Sequence, residues 1–81
     1  MSNEEILKQL STLYERIMDQ PIQSDKLSPD LLLKEDLGLT SVGVIYLVVA
    51  MEDHFNIVMD DVSLGDFNTL GDVVNYLKGK I

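Results

Sequence analysis

The chain has 81 residues, of which 46% are apolar and 25% charged, so its composition is that of one small folded domain. It contains no Cys and a single His, which excludes disulfides, thiolate metal sites, a cysteine nucleophile and any site built on two histidines. The net charge of −8 argues against unaided binding to nucleic acid or to an anionic membrane, and it suits partners with a basic surface.

The first ten residues, MSNEEILKQL, do not have the pattern of a signal peptide. They are acidic early and lack a basic region followed by a long apolar run. No stretch of the chain approaches the ~18 consecutive apolar residues that cross a bilayer. We therefore expect a soluble, cytoplasmic, monomeric protein that forms a single domain over residues 1–81 and does not insert into membranes.

An amphipathic helix is predicted near the start of the chain. Ser2 and Glu5 have the spacing of a capping box, in which each residue satisfies a free amide of the other's turn. Gln20 and Pro21 should end this helix, because the residue before proline avoids the α region. Apolar residues recur between these signals at intervals of three and four and share one face: Ile6, Leu7, Leu10, Leu13, Tyr14, Ile17 and Met18.

A long connection follows the first helix. It begins with a polar stretch over residues 22–26 and continues through the turn signal Ser28-Pro29-Asp30. The leucines at positions 31–33 should hold the loop against a core. Roughly twenty residues without a regular element is long for a compact domain, and long loops that persist are often functional.

A second helix is predicted from Ser41 to Phe55, after a break at Gly38, and it is apolar on two sides. One stripe comprises Val44, Leu47, Val48, Met51 and Phe55. The other stripe lies about 150° away and comprises Val42, Ile45, Tyr46 and Val49. Because few helices are available to cover both sides, the second stripe either meets a partner or, for Tyr46, folds back onto the bundle.

The remaining elements complete a small all-α bundle. One short helical turn is predicted from Asp60 to Leu64, and Thr69 with Asp72 resembles a second capping arrangement. A last helix should end at Gly79, and no period-two strand pattern persists. The fold class is therefore a small bundle of four helices, of which the third in chain order is short, with a long loop between the first two. The apolar face of the last helix comprises Leu70, Val73, Val74 and Leu77.

The net negative charge is concentrated in one part of the chain. The stretch from Glu35 to Leu77 contains eight acidic residues and neither Lys nor Arg, whereas acids and bases balance elsewhere. Such a stretch is either a solubilising surface or a docking face that attracts basic partners and weakens with salt.

Ser41 is the residue whose position suggests chemistry. It stands at the predicted start of the second helix, where free backbone amides and the positive end of the helix dipole favour anions such as phosphate. From position alone, an ordinary N-cap role for Thr40 or Ser41 is favoured, because Ser and Thr are the usual residues at a helix start.

The residues around Ser41 resemble the prosthetic-group attachment motif of acyl carrier proteins. The stretch EDLGLTSV, residues 35–42, is similar to the family pattern E-D-L-G-x-D-S-L. The likeness continues through residues 47–55 and 69–77, which are similar to the family's second and last helices. It covers essentially the whole chain, and it is specific because the serine opens a second helix in a domain of this size.

This resemblance implies a four-helix bundle and a carrier that is not itself an enzyme. Ser41 Oγ would accept a 4′-phosphopantetheine group from coenzyme A, transferred by a separate Mg²⁺-dependent phosphopantetheinyl transferase. The arm's thiol would carry acyl groups as thioesters between the enzymes of fatty acid, polyketide or related biosynthesis. An aminoacyl or peptidyl carrier, and an unmodified interaction protein that kept the fold, are the alternatives.

The sequence departs from the family pattern on both sides of Ser41. Thr40 stands where the family has Asp, which removes a negative charge that helps the transferase engage, so a generic transferase should load this chain more slowly. Val42 replaces Leu, and Tyr46 stands where acids are frequent, so we expect a dedicated partner that binds an apolar patch. The residues expected to bind partners are Asp36, Thr40, Val42, Ile45, Tyr46, Val49, Glu52 and Asp53.

Other chemistry is poorly supported by the sequence. His54 cannot act as a base for Ser41, because thirteen residues of helix separate the two by about 20 Å. Asp60, Asp61 and Asp66 lack the alternating ligands and central glycine of an EF-hand loop, so no specific metal site is expected.

Overall fold

A computed structural model describes residues 2–23 and 25–81 of the chain. The order of elements is α1 (Asn3–Met18), α2 (Ser41–Phe55), one 3₁₀ turn (Leu64–Asp66) and α3 (Leu70–Lys80). In these two ranges no strand forms, and the β pairing is a single bridge between residues 32 and 69. The predicted all-α bundle with a short third element and a long first loop is confirmed. The predicted polar stretch 22–26 includes Ser24, which lies outside the described residues.

α1 begins and ends at the residues that its sequence favours. Ser2 is the N-cap, and its Oγ accepts a hydrogen bond from the Glu5 amide at 3.2 Å. The Glu5 carboxylate bonds the Ser2 hydroxyl, also at 3.2 Å, rather than completing the predicted capping box through the Ser2 backbone. At the other end Asp19 adopts the left-handed conformation with φ of 54° and donates to the Glu15 carbonyl, so α1 ends before Pro21.

The long loop is attached by backbone hydrogen bonds to the start of α3. Leu33 N donates to Asn68 O at 2.9 Å, and Gly71 N donates to Pro29 O at 2.8 Å. A Cβ at position 71 would lie 3.1 Å from that same Pro29 oxygen, so the close approach of loop and helix favours glycine there. Leu33 is fully buried and Leu31 packs half-buried against the core, so these two leucines of the predicted run hold the loop, whereas Leu32 is half-buried outside the core cluster.

The predicted inner faces of α2 and α3 pack in the core, with Val48 and Phe55 of α2 only half-buried against it. The predicted capping box of Thr69 and Asp72 is present at the start of α3. Thr69 Oγ1 accepts from Asp72 N at 3.1 Å, and Asp72 Oδ2 accepts from Thr69 N at 3.0 Å. α3 continues past Gly79 to Lys80, one residue beyond the predicted end. The largest fully buried side chains, which join all three helices and the loop, are Ile6, Leu10, Leu33, Leu47, Met51, Leu70 and Leu77.

The short helical turn is displaced from its predicted position. It was expected at Asp60–Leu64 and lies at Leu64–Asp66. The reason is a local pair of hydrogen bonds: the Asp66 carboxylate accepts from Ser63 N at 3.0 Å, and Asp66 N donates to Ser63 O at 3.0 Å. These bonds start the turn at Ser63 and leave residues 60–62 outside it.

Across the described part of the chain, no helix is both long enough and apolar enough to cross a membrane.

Candidate functional site

The loop before α2 turns sharply so that the start of that helix faces solvent. Gly38 has a φ of 70°, a left-handed conformation that glycine adopts without strain. Leu39 N then donates to Leu33 O at 3.0 Å, and Asp36 N donates to Leu32 O at 3.0 Å. Since Leu39 is buried while residues 40 and 41 are exposed, the loop anchors one residue and presents the next two.

Two side chains, one from α1 and one from the loop itself, hold this loop in shape by hydrogen bonds to its backbone. Tyr14 of α1 is buried, and its hydroxyl donates to the Leu37 carbonyl at 2.7 Å while accepting from Gln20 Nε2 at 3.3 Å. Asp36 Oδ2 accepts from Leu32 N at 2.8 Å. The helical periodicity predicted Tyr14 only as a member of the apolar face of α1. Its role in the loop could have been inferred from the rule that a buried tyrosine hydroxyl needs a hydrogen-bond partner.

The two hydroxyls at the start of α2 have different roles. Thr40 is the N-cap, with φ of −82° and ψ of 176°, and its Oγ1 accepts from Gly43 N at 3.2 Å. Ser41 is therefore the first residue of the helix, its side chain is exposed, and no described residue forms a hydrogen bond with its Oγ. The structure thus assigns the N-cap role to Thr40 and leaves the serine hydroxyl accessible.

The electrostatics of this helix end favour an anion beside Ser41. The backbone amides of Ser41 and Val42 have no acceptor among the described residues, and they add to the positive end of the α2 dipole. The first turn of α2 contains no acidic residue. A phosphodiester attached to Ser41 Oγ would therefore meet two free donors and no neighbouring carboxylate in that turn.

The outer stripe of α2 is open to solvent. The exposed fractions are 57% for Val42, 45% for Ile45, 60% for Tyr46 and 56% for Val49. Tyr46 does not fold back onto the bundle, which was the alternative to an exposed stripe. Four neighbouring large apolar side chains with this exposure form a patch that water solvates poorly.

An apolar groove adjoins this stripe. It has a volume of about 260 Å³ and lies between α2 and the segment of residues 59–67. Val44, Leu47 and Met51, which face the interior, are sealed in the core with at most 2% of their surface exposed. The groove is lined mainly by Ile45, Val48, Val49, Met59, Val62 and Phe67.

The three acids expected to bind partners differ in their surroundings. Asp36 holds the loop as described above, and Glu52 Oε2 accepts from Met59 N at 3.0 Å at the end of α2. Asp53 is exposed, and no described residue bonds its carboxylate. Glu52 and Asp36 therefore stabilise the backbone by accepting hydrogen bonds from its amides, a role that the charge pattern of the sequence did not predict.

Among the described residues, His54 contacts α1 and the acidic side chains form no metal-binding group. His54 is exposed and its Nε2 lies 2.6 Å from Gln9 Oε1 on α1, so its ring faces that helix. Within residues 2–23 and 25–81, no three His, Asp or Glu side chains are grouped so that they could hold a metal ion.

The chain matches a known protein family over most of its length. The family model described as "Phosphopantetheine attachment site" matches residues 8–77, a range that includes all of α2, the 3₁₀ turn and most of α1 and α3. Proteins of this family are carriers, generally without catalytic activity, that hold a 4′-phosphopantetheine group and interact with a phosphopantetheinyl transferase and biosynthetic enzymes. The exposed hydroxyl and free amides at the start of α2 fit the phosphate end of that group. The chain belongs to the phosphopantetheine attachment family and is a phosphopantetheine carrier protein.

Proposed function

We propose that the chain is a monomeric, single-domain acyl carrier protein whose 4′-phosphopantetheine group is attached to Ser41 Oγ. The observation that supports this assignment is the division of roles between the two adjacent hydroxyls. Thr40 is the N-cap of α2, and its Oγ1 accepts the hydrogen bond from Gly43 N. Modification of the Ser41 hydroxyl therefore breaks no hydrogen bond of the helix cap. Its place at the solvent-exposed start of α2 also leaves it open to an approaching transferase.

The chain itself contributes position and charge stabilisation rather than catalysis. When attached, the arm supplies the thiol that this Cys-free chain lacks, and that thiol holds carboxylic acids as thioesters. Ser41 N and Val42 N favour the phosphodiester charge at the helix start. No base from the described residues reaches Ser41 Oγ, so the proton of the hydroxyl leaves to a group on the transferase.

The groove beside α2 favours an acyl cargo over an aminoacyl one. Its lining is mostly aliphatic and aromatic, with Met59, Val62 and Phe67 facing Ile45 and Val48. An ammonium group would lose its hydration on entering such a lining, whereas an alkyl chain would gain from burial. The pathway class that fits is fatty acid, polyketide or related biosynthesis.

The outer stripe of α2 is the proposed docking surface for transferase and acyl-processing enzymes. Tyr46 and Asp53 lie seven residues apart and so share one face of the helix, about 10 Å apart along its axis. Ser41 opens the same helix. A partner that fits has an apolar surface beside its active-site entrance and a basic group further along.

Loading at Ser41 can be tested by intact mass measurement after incubation with coenzyme A, Mg²⁺ and a promiscuous phosphopantetheinyl transferase. We expect one phosphopantetheine adduct on the native chain and none on Ser41→Ala. Ser63→Ala is the matched control, since it removes an exposed hydroxyl beside another helical turn and should load normally. An adduct on Ser41→Ala, or no adduct with any transferase, would contradict the assignment.

An unmodified interaction protein is the second candidate, and the exposed apolar stripe supports it because that surface does not require Ser41. Under this candidate, Ser41→Ala would leave the biological activity unchanged in the native host. Under the carrier proposal the same substitution abolishes it.

A further inference from the structure

The outer wall of the apolar groove is a segment with few backbone attachments. Its start is held by α2, where Ile57 N donates to Glu52 O at 3.1 Å and Met59 N donates to Glu52 Oε2 at 3.0 Å. From residue 60 to residue 62, no backbone hydrogen bond joins the segment to another described element. The middle of the wall must therefore be held by side chains.

Three polar side chains connect the middle of this wall to α3. The Tyr76 hydroxyl donates a hydrogen bond to Asp61 Oδ1, and Lys80 Nζ lies 3.4 Å from Asp61 Oδ2. The Lys80 ammonium also lies 5.7 Å from the centre of the Tyr76 ring. Both oxygens of the Asp61 carboxylate are thus used by α3.

The same tyrosine supports the apolar side of the wall. The Tyr76 and Phe67 rings meet edge to face, with centres 5.7 Å apart and planes at 80°. Phe67 is buried and lines the groove, opposite Ile45 and Val49 of α2. One α3 residue therefore fixes the wall at two points, through its hydroxyl at position 61 and through its ring at position 67.

We propose that Asp61, Tyr76 and Lys80 form a clasp that positions the groove wall and holds it closed over the aliphatic part of a cargo tethered at Ser41. This inference rests on the proposed function for the cargo, whereas the clasp itself follows from the contacts of α3 with residues 61 and 67. Opening the clasp would let the 59–67 segment move away from α2 and widen the groove.

The ionisation states of Asp61 and Tyr76 do not change at ordinary pH. The hydrogen bond from Tyr76 lowers the pKa of Asp61, with Lys80 adding to the effect. The same bond raises the pKa of Tyr76 to about 12, with the nearby acids Asp60 and Glu52 contributing in the same direction. The carboxylate and the phenol therefore stay paired through the neutral range, and the clasp acts as a fixed support rather than as a pH switch.

A thiol probe can test the clasp because the chain has no Cys of its own. Val62→Cys places one thiol in the half-buried wall, and its reaction rate with neutral iodoacetamide measures how often the wall opens. Adding Tyr76→Phe removes the hydroxyl and keeps the ring on Phe67. We expect labelling about five- to tenfold faster, which corresponds to the loss of one charge-assisted hydrogen bond.

Two controls separate local opening from general loss of stability. Lys78→Gln removes a charge at an exposed position of α3 outside the clasp and should leave the Val62→Cys rate unchanged. Val73→Cys places the thiol in the fully buried core, where labelling requires global unfolding and should stay far slower than at position 62 with either Tyr76 or Phe at position 76. Unchanged labelling at position 62 on Tyr76→Phe, or equal rates at positions 62 and 73 in the Tyr76→Phe chain, would overturn the clasp.

The cargo part of the proposal has its own measurement. Octanoyl-phosphopantetheine loaded on Ser41 blocks the arm's thiol, so the Val62→Cys thiol remains the reactive one. We expect the octanoyl chain to slow labelling severalfold, and Tyr76→Phe to remove that protection. Equal rates in loaded and unloaded chains would refute sheltering of the cargo. Failure of loading itself would refute the role of Ser41, and the unloaded labelling rates would still show whether the clasp exists.

Discussion

At the scale of single residues, the start of α2 shows how two adjacent hydroxyls acquire different structural roles. The proposed attachment motif could be found in the sequence, because residues 35–42, EDLGLTSV, resemble most of the family pattern. The sequence could not show which hydroxyl caps the helix, since either Thr or Ser serves as an N-cap. The extended backbone of Thr40 settles that question and leaves Ser41 free.

The threonine at position 40 leads to a prediction about loading rate. Thr40→Asp keeps an oxygen for the Gly43 amide and adds a negative charge at the positive end of α2, so folding stability should rise by about 0.3–1 kcal/mol. Because the family resemblance gives this carboxylate a role in engaging the transferase, kcat/KM for loading should rise by up to about tenfold, the value of one charge-assisted contact. The measurement is a steady-state loading assay with a promiscuous transferase.

Thr40→Asn is the matched control for this substitution. Asparagine has the shape of aspartate and caps equally well, but it carries no charge, so its loading rate should stay near that of the native chain. If the Asp and Asn variants load equally fast, the charge at position 40 has no part in recognition by the transferase.

At the scale of elements, periodicity and capping signals predicted all three long helices, whereas tertiary contacts decided the details. The Thr69–Asp72 box was visible in the sequence because it depends on a three-residue spacing. The displaced 3₁₀ turn was not, since it depends on the Asp66 carboxylate reaching back to Ser63. The attachment of the long loop to α3 was also hidden, because it joins backbone groups about forty residues apart in sequence.

That attachment predicts an unusual response to a common stabilising substitution. Gly71→Ala would normally favour a helix by about 1 kcal/mol, but here the new Cβ would lie 3.1 Å from Pro29 O and 3.2 Å from Pro29 Cβ. We expect a net loss of about 1–3 kcal/mol in the free energy of unfolding, because backbone atoms must move apart. Denaturant unfolding followed by circular dichroism measures the change.

Gly79→Ala tests the same substitution where there is room. No atom of the described residues lies within 4 Å of the Cβ position there, so a gain of up to about 1 kcal/mol is expected from helix propensity alone. A Gly71→Ala chain at least as stable as the native one would show that the loop yields without cost.

At the scale of the whole molecule, α2 joins the proposed tether, the exposed stripe and the acids on one element. The helical period already predicted the stripe, because side chains three and four residues apart share a face. The groove could not be predicted, since its second wall comes from residues 59–67 and their contacts with α3. The acid-rich stretch 35–77 contains the whole of α2, so the apolar stripe and the concentrated negative charge belong to the same part of the chain. Such a charge attracts a basic partner, and the apolar side chains provide the contact area.

Tyr46 provides the test of this docking surface. Because its side chain is 60% exposed, Tyr46→Glu should change the melting temperature little, as surface substitutions usually alter stability by no more than about 0.5 kcal/mol. If the stripe contacts the transferase, the KM for loading should rise about tenfold or more, since buried tyrosines at interfaces commonly contribute about 2 kcal/mol. Val58→Glu introduces the same charge at another exposed apolar position, 63% exposed and outside α2, and should leave KM near its native value. A large fall in melting temperature with unchanged KM would instead show that Tyr46 stabilises the fold. An equal rise in KM for Tyr46→Glu and Val58→Glu would show that added negative charge, and not contact with the stripe, weakens the interaction.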